Sequence, residues 1–249
     1  MRAGLENLAR RDYPGRIIVI GRDNTGKNVF VIYAITGRSP SSQARKLSQE
    51  GDTLLVNPTE EEILRQGKVE LLVYPAICLS QGIAVSNGRQ TLDIKSRLAH
   101  GQNPSEILAS ALSSWNYEPD PPIYTPRISG CVVTSQRAAL SIIKRGEDGS
   151  SVRNIFEVPL IEGKGWMIST YQGENKDPVE PFSGEPQELE FDQDNPNDMA
   201  EAVYEALAPR EGEKDFRVAV ACVFSPGFDV GVFAVSIINR IERIDDQNG

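Results

Sequence analysis

The residues of this chain whose types suit chemistry stand where apolar runs end. Gly37-Arg38-Ser39 follows the run Asn28–Ile35, and Ser86-Asn87-Gly88 follows Ile83–Val85. Tyr117-Glu118 and Tyr124-Thr125-Pro126-Arg127 precede Ile128–Thr134, and Ser169-Thr170-Tyr171 lies on or just after another apolar run. A sheet holds the side chains at its strand ends in fixed relation, so a rigid scaffold presents a site there. Guanidinium groups such as those of Arg38 and Arg127 suit a small anionic metabolite. Each element also has a plainer reading. Asn87-Gly88 alone reads as a hairpin turn, Arg38 and Arg127 as surface arginines, and Tyr117 as a buried ring with its hydroxyl on backbone. Gly21, Gly26 and Gly37 are too scattered for a phosphate loop, and the chain has neither GxxxxGK[ST] nor GxGxxG.

The elements that must position these residues follow from periodicity. Arg16–Ile20 and Asn28–Ile35 flank the turn cluster Asp23-Asn-Thr-Gly26 and predict a β-hairpin, apolar enough to be buried on both faces. Gly37–Ser48 is polar and reads as a loop or strand rim. Further strands are expected at Asp52–Val56, Val69–Tyr74 and Ile83–Val85, then a helix over Thr91–His100. Asn103-Pro104-Ser105-Glu106 opens a second helix with an N-cap, a first-turn proline and an acid at N3. Its stripe Ile107, Leu108, Ala111, Leu112, Trp115 assigns Trp115 to core packing. Strands follow at Ile128–Thr134, Ala138–Lys144, Val152–Val158 and Trp166–Tyr171. Gly173–Asp194, acidic and proline-rich, reads as a surface excursion. Asn195-Pro196-Asn197-Asp198 caps a third helix, with Met199, Val203, Ala206 and Leu207 inward. Arg217–Phe224 and Val230–Ile238 form a last strand pair before a polar tail, Asp245–Gly249. Paired strands and grouped helices predict α+β, with antiparallel sheets covered by helices, in a single domain spanning 1–249.

Composition sets the limits. With 26 Lys and Arg against 35 Asp and Glu among 249 residues, the net charge is −9. That disfavours long nucleic acids and anionic membranes. Cys78, Cys131 and Cys222 form no CxxC pair and read as small core residues. The lone His100 makes a two-His metal site impossible within one chain. Met1–Asp12 holds no apolar run and no stretch reaches membrane-spanning length, so a cytoplasmic protein without a signal peptide is expected.

Taken together and in order, a set of short motifs is specific where each alone is weak. These are Tyr13-Pro-Gly-Arg16, Gly21-Arg22-Asp-Asn24, Arg38-Ser39, Val85-Ser-Asn-Gly88, Tyr117-Glu118-x-Asp120, Thr125-Pro-Arg-Ile128 and Ile168-Ser-Thr-Tyr171. Across roughly residues 13 to 175 the chain resembles the archaeal IMP cyclohydrolases; it is longer, mainly in 40–70 and 173–195, and its C-terminal portion matches poorly. The resemblance implies a four-layer αββα sandwich of the N-terminal-nucleophile-hydrolase type, without the processed nucleophile. Met1-Arg2-Ala3 agrees, offering no Ser, Thr or Cys to expose.

The implied reaction closes the carboxamide nitrogen of 5-formamidoimidazole-4-carboxamide ribotide onto its formyl carbon and expels water, giving IMP with no metal or redox cofactor. On the positions matched by the resemblance, residue chemistry makes Glu118 the proton carrier, with Tyr117 and Arg127 beside it, and Arg127 would stabilise the developing oxyanion or anchor the ribotide. Arg38, supported by Ser39 and Arg45, would bind phosphate or orient the base. Tyr74 and Asn87 would contact the heterocycle, and Thr125 would complete the binding set. A homo-oligomer is compatible with this sandwich. An amidohydrolase on the same fold and a nucleotide-binding regulator without catalysis are the competing expectations.

Overall fold

A computed structural model describes residues 4–59, 73–98, 103–134, 136–182, 184–227 and 232–248. Its strands form where β-branched residues crowd, because their stiff χ1 angles suit a pleated, packed surface. β1 (Arg16–Arg22) and β2 (Val29–Thr36) pair antiparallel with Arg16 opposite Ile35, as the hairpin reading expects. They are central in a six-stranded sheet with β10 (Lys164–Ser169), β11 (Gln187–Glu190), β12 (Arg217–Ser225) and β13 (Ala234–Asn239), in the order β11-β10-β1-β2-β12-β13. A seven-stranded sheet runs β3 (Arg45–Glu50), β4 (Thr53–Pro58), β5 (Tyr74–Ser80), β6 (Gly82–Ser86), β7 (Arg127–Val133), β8 (Ala138–Arg145) and β9 (Ser151–Val158) in chain order. The named strand pairs of both sheets are antiparallel.

Alternation along each strand sorts side chains into three cores. Ile18, Ile20, Val31 and Tyr33 meet Leu54, Val85, Ile128 and Leu140 between the sheets. On the outer face of the six-stranded sheet, Ile17, Val19 and Ile32 pack against α1 (Glu6–Ala9) and α5 (Pro196–Ala206) through Leu8, Met199 and Val203. On the outer face of the other, Cys78, Ala84 and Cys131 meet Ile94, Leu98 and Leu108 of α3 (Gln90–Leu98) and α4 (Pro104–Ala111). The layers therefore run helices, sheet, sheet, helices. All three cysteines are free and buried, as expected of core residues. Asn103 and Asn195 cap α4 and α5 through their side chains.

Several local expectations change. Within Gly37–Ser48, Ser39 caps a short helix α2 (Pro40–Gln43) and β3 begins at Arg45. Only Leu47 supplies a buried apolar residue there, so alternation was invisible. Most of Val69–Tyr74 lies outside the described residues, as does His100; β5 begins only at Tyr74. Trp115 lies past the end of α4, half-buried, with Nε1 donating to Asp93. Gly173–Asp194 is more than an excursion: Phe182 is fully buried and Gln187–Glu190 extends the sheet, because isolated apolar residues anchor an otherwise polar run. The C-terminal segment continues as α6 (Arg240–Asn248) rather than as a tail from Asp245. Among the described residues no helix is long and apolar enough to cross a membrane.

Candidate active site

Register brings the polar strand ends to one end of the sandwich. In the six-stranded sheet, Ile17 faces Ser169 and Arg217 faces Thr36. The start of β1 therefore adjoins Gly37-Arg38 and Thr170-Tyr171. In the seven-stranded sheet, Ser86 faces Ser129, Val56 faces Tyr74, and Arg45 faces Pro58, which gathers Asn87, Arg127, Tyr74 and Arg45. Hydrogen bonds join these ends across the sheets. Arg16 Nη2 donates to Glu118 Oε1 at 2.6 Å, and the Tyr33 and Tyr74 hydroxyls share a 2.8 Å hydrogen bond.

Glu118 is the centre of the cluster, 4% exposed. Asn87 Nδ2 also donates to its Oε1, at 3.2 Å. Both bonds fall on one oxygen, and Oε2 has no hydrogen bond among the described residues. Burial pushes the Glu118 carboxyl above its ordinary range, while Arg16 and then Arg127 pull it back. Burial works against Arg16's charge, but the Glu118 carboxylate and the tyrosines Tyr74, Tyr171 and Tyr33 outweigh it, so the guanidinium is held protonated. Burial opposes both charges of the pair, and each partner holds the other against it. Arg16 Nε is buried without a partner, an unused donor beside that carboxylate.

The loop before β7 is fixed by Asp120, which accepts from the Thr125 backbone N–H at 2.7 Å and from Thr125 Oγ1 at 2.5 Å. The Thr125 carbonyl then accepts the Glu118 N–H at 2.8 Å. Thr125 Oγ1 also meets the Tyr171 hydroxyl at 2.9 Å. Burial pushes the Tyr171 phenol up to about 12 against the pull of Arg16, so it stays neutral. Arg127 donates through Nε to the Asn116 carbonyl at 2.8 Å and lies over the Trp115 ring at 4.9 Å, where guanidinium and indole attract. Trp115 is thus a platform as well as a packing residue.

The other expected residues surround this cluster. Arg45 is 4% exposed, its Nε donating to the Ser42 carbonyl. Arg38 stands outside it, half-buried, its Nη1 donating to the Lys176 carbonyl and its guanidinium over Tyr13. Tyr13 in turn packs on Tyr171. Ser39 is exposed at the start of α2. Tyr117 donates its hydroxyl to the Gly149 carbonyl and packs edge-on against Tyr124, the plain structural arrangement. Asn87-Gly88 makes no hairpin; it passes from β6 into α3.

Sequence reasoning assigned no role to Arg16, Gln90, Tyr33 or Asp120. Arg16 and Asp120 stood inside the short motifs. Tyr33 sat in a wholly apolar strand and Gln90 just before the expected helix Thr91–His100, where neither is distinguishable from packing. Gly15, before Arg16, has φ +75°, and a Cβ there would stand 2.1 Å from Thr170 Oγ1 and 2.7 Å from the Tyr171 ring. Gly15→Ala should therefore destabilise the protein by at least about 1–2 kcal/mol, the left-handed penalty alone; unchanged urea denaturation would contradict this.

A proton acceptor between two guanidiniums can take a proton from a weakly acidic N–H while the cations stabilise negative charge on a neighbouring oxygen. Similarity to known proteins points the same way. A family model described as IMP cyclohydrolase-like protein matches residues 13–225. The match runs past the motif span and takes in β12. The IMP cyclohydrolase of Methanothrix thermoacetophila is 32% identical over 169 residues, covering 67% of this chain and 78% of the relative. That of Thermococcus kodakarensis is 30% identical over 181 residues, 71% and 82% of the two chains. That of Methanosphaera stadtmanae is 27% identical over 162 residues, 64% and 74%. With motifs, strand-end cluster and family match all falling on the same stretch, the chain belongs to the IMP cyclohydrolase-like family.

Proposed function

We propose that this protein is an IMP cyclohydrolase. It closes 5-formamidoimidazole-4-carboxamide ribotide to IMP and water, the last ring closure of purine nucleotide synthesis. The observation that carries the reading is the buried Glu118 carboxylate paired with Arg16 and flanked by Arg127.

The carboxamide nitrogen attacks the formyl carbon. One proton leaves that nitrogen, another leaves the formamido nitrogen, and both depart with the formyl oxygen as water. The attack is intramolecular, so orientation supplies part of the roughly 7–11 kcal/mol available from proximity. The remaining tasks are proton transfer and stabilisation of the oxyanion. Glu118 Oε2 takes the carboxamide proton and passes it toward the departing oxygen. Arg127 and Arg16 stabilise the oxyanion. Arg45, Arg38 and Ser39 serve the ribotide phosphate, and Tyr74 orients the heterocycle. Asn87 contacts the heterocycle and Thr125 completes the binding set, and their hydrogen bonds to the Glu118 carboxylate, the Pro126 carbonyl and the Glu118 N–H also hold the proton carrier in place. Tyr117 braces the same loop from Gly149. None of these steps needs a metal or redox group.

The layering of helices, sheet, sheet and helices supports the N-terminal-nucleophile-hydrolase-like arrangement. With it go a single domain over 1–249, a cytoplasmic site of action, and assembly as a homo-oligomer.

The pH dependence tests the reading. Glu118 must be ionised to accept a proton, and its carboxyl is raised by burial. Activity should therefore fall as pH drops, with a midpoint above the roughly 4.3 of a free glutamate. Ring closure followed by ultraviolet absorbance across pH checks this. A kcat/KM that stays flat down to pH about 4 excludes a raised carboxyl as the base.

A further inference from the structure

We infer that Gln90 is a positioning residue for the reaction, coupling the Arg127 guanidinium to the Glu118 carboxylate through a chain of two side-chain amides. The inference rests on the cyclohydrolase reading above and adds a residue that reading does not require.

Gln90 is fully buried at the first turn of α3. Its Oε1 accepts from Arg127 Nη1 at 3.2 Å, and its Nε2 donates to Asn87 Oδ1 at 3.1 Å. Asn87 Oδ1 also accepts the Ile128 backbone N–H at 2.9 Å. Asn87 Nδ2 is left to donate to Glu118 Oε1 at 3.2 Å and to the Pro126 carbonyl at 2.9 Å.

The direction follows from what each end can do. A guanidinium only donates, so the oxygen of Gln90 must face Arg127. Turning the Gln90 amide over would set donor against donor at Arg127 and acceptor against acceptor at Asn87. Turning Asn87 over would set its NH₂ against the Ile128 N–H and its oxygen against the carboxylate. Arg127 at one end and a backbone N–H in the middle therefore both require that the chain finish with an N–H aimed at Glu118. The backbone makes room for this: a Cβ on Gly88 would stand 2.6 Å from Gln90 Oε1 and 2.7 Å from Arg127 Nη1.

A donor aimed at a buried carboxylate favours its ionised form. The charged or titratable groups facing Glu118 are Arg16 from β1, Arg127 from β7, Asp120 from its own loop and Tyr171 from the segment after β10. Gln90 acts on Glu118 only through Asn87 and Arg127.

Gln90→Glu and Gln90→Met test the inference. In the first, a carboxylate draws Arg127 toward itself and adds a second buried negative charge near Glu118, while the Ile128 N–H and the Pro126 carbonyl still hold Asn87 in its orientation. The acid limb of kcat/KM should rise by about one pH unit and kcat should fall about tenfold, with KM changing less than about threefold. Gln90→Met keeps the volume but breaks the chain, and should move the limb less, in the same direction. A residue that only packs would leave the limb where it is in Gln90→Met, whereas Gln90→Glu would raise it by repulsion alone. The Asn87 side-chain amide resonance, titrated by NMR, reads the same ionisation without turnover. It should show a midpoint shift of the same sign in Gln90→Met and in Gln90→Leu, neither of which adds a charge. Limb and midpoint unchanged in folded Gln90→Met, or in Gln90→Leu, would overturn the inference. A wild type that titrates at the Asn87 amide but makes no IMP would instead count against the proposed function alone.

Discussion

Glu118→Gln should lower kcat by about a hundredfold or more and leave KM nearly unchanged, because one preorganised charged group contributes about 3 kcal/mol to a transition state. Glutamine keeps the size of the side chain and an oxygen for Arg16 Nη2, which now donates to Glu118 Oε1 at 2.6 Å. It does not keep basicity, so ribotide binding survives while the proton has no acceptor. The acid limb should disappear in the same variant. Circular dichroism must show a native fold, since the change leaves the Arg16 guanidinium without its anion. A correctly folded Glu118→Gln protein with near-normal kcat would remove Glu118 from the mechanism; an exposed pair of charges contributes only about 0–1 kcal/mol, and its loss would leave the enzyme active.

The second large effect is on stability. Arg16 and Glu118 are enclosed, with side chains 13% and 5% exposed. Removing either partner of a buried pair leaves a charge in low dielectric and typically costs about 3–5 kcal/mol. Arg16→Met and Glu118→Gln should each show a loss of that order in urea denaturation. The double variant carries neither stranded charge, so it should be more stable than the sum of the single losses predicts by several kcal/mol, roughly the cost counted twice. Arg127 moderates the Arg16→Met loss, because it remains near the carboxylate. Additivity within about 0.5 kcal/mol would mean that the two side chains do not interact energetically.

Much of the architecture was legible because burial imposes period. The Ile17–Ile20 and Val29–Ile35 runs, the two asparagine caps with their prolines, and the Ile128–Thr134 and Ala138–Lys144 strands are each dictated by local rules. What escaped detection depends on contacts distant in sequence. β3 carries a buried Arg45 where alternation calls for an apolar residue. Phe182 anchors a segment that is otherwise acidic. Asn87-Gly88 has turn chemistry, yet the asparagine faces Glu118 31 positions away. At the site, the motifs named the Glu118 loop and Arg127. Arg16 became a partner only when β1 and the loop before β7 met, and Gln90 only when the start of α3 met the start of β7. Tyr117, by contrast, makes the backbone hydrogen bond that its type alone suggests.

The central claim is that these residues close a ring rather than cleave an amide, and identification of the product tests it most directly. Purified protein, incubated with the formamido ribotide in the presence of a chelator, should convert it to IMP mole for mole, as followed by ultraviolet absorbance and chromatography. Formation of formate and the 5-amino ribotide would instead reveal an amidohydrolase on this scaffold, and tight binding of IMP with no product would reveal a regulator. Either result would contradict the account.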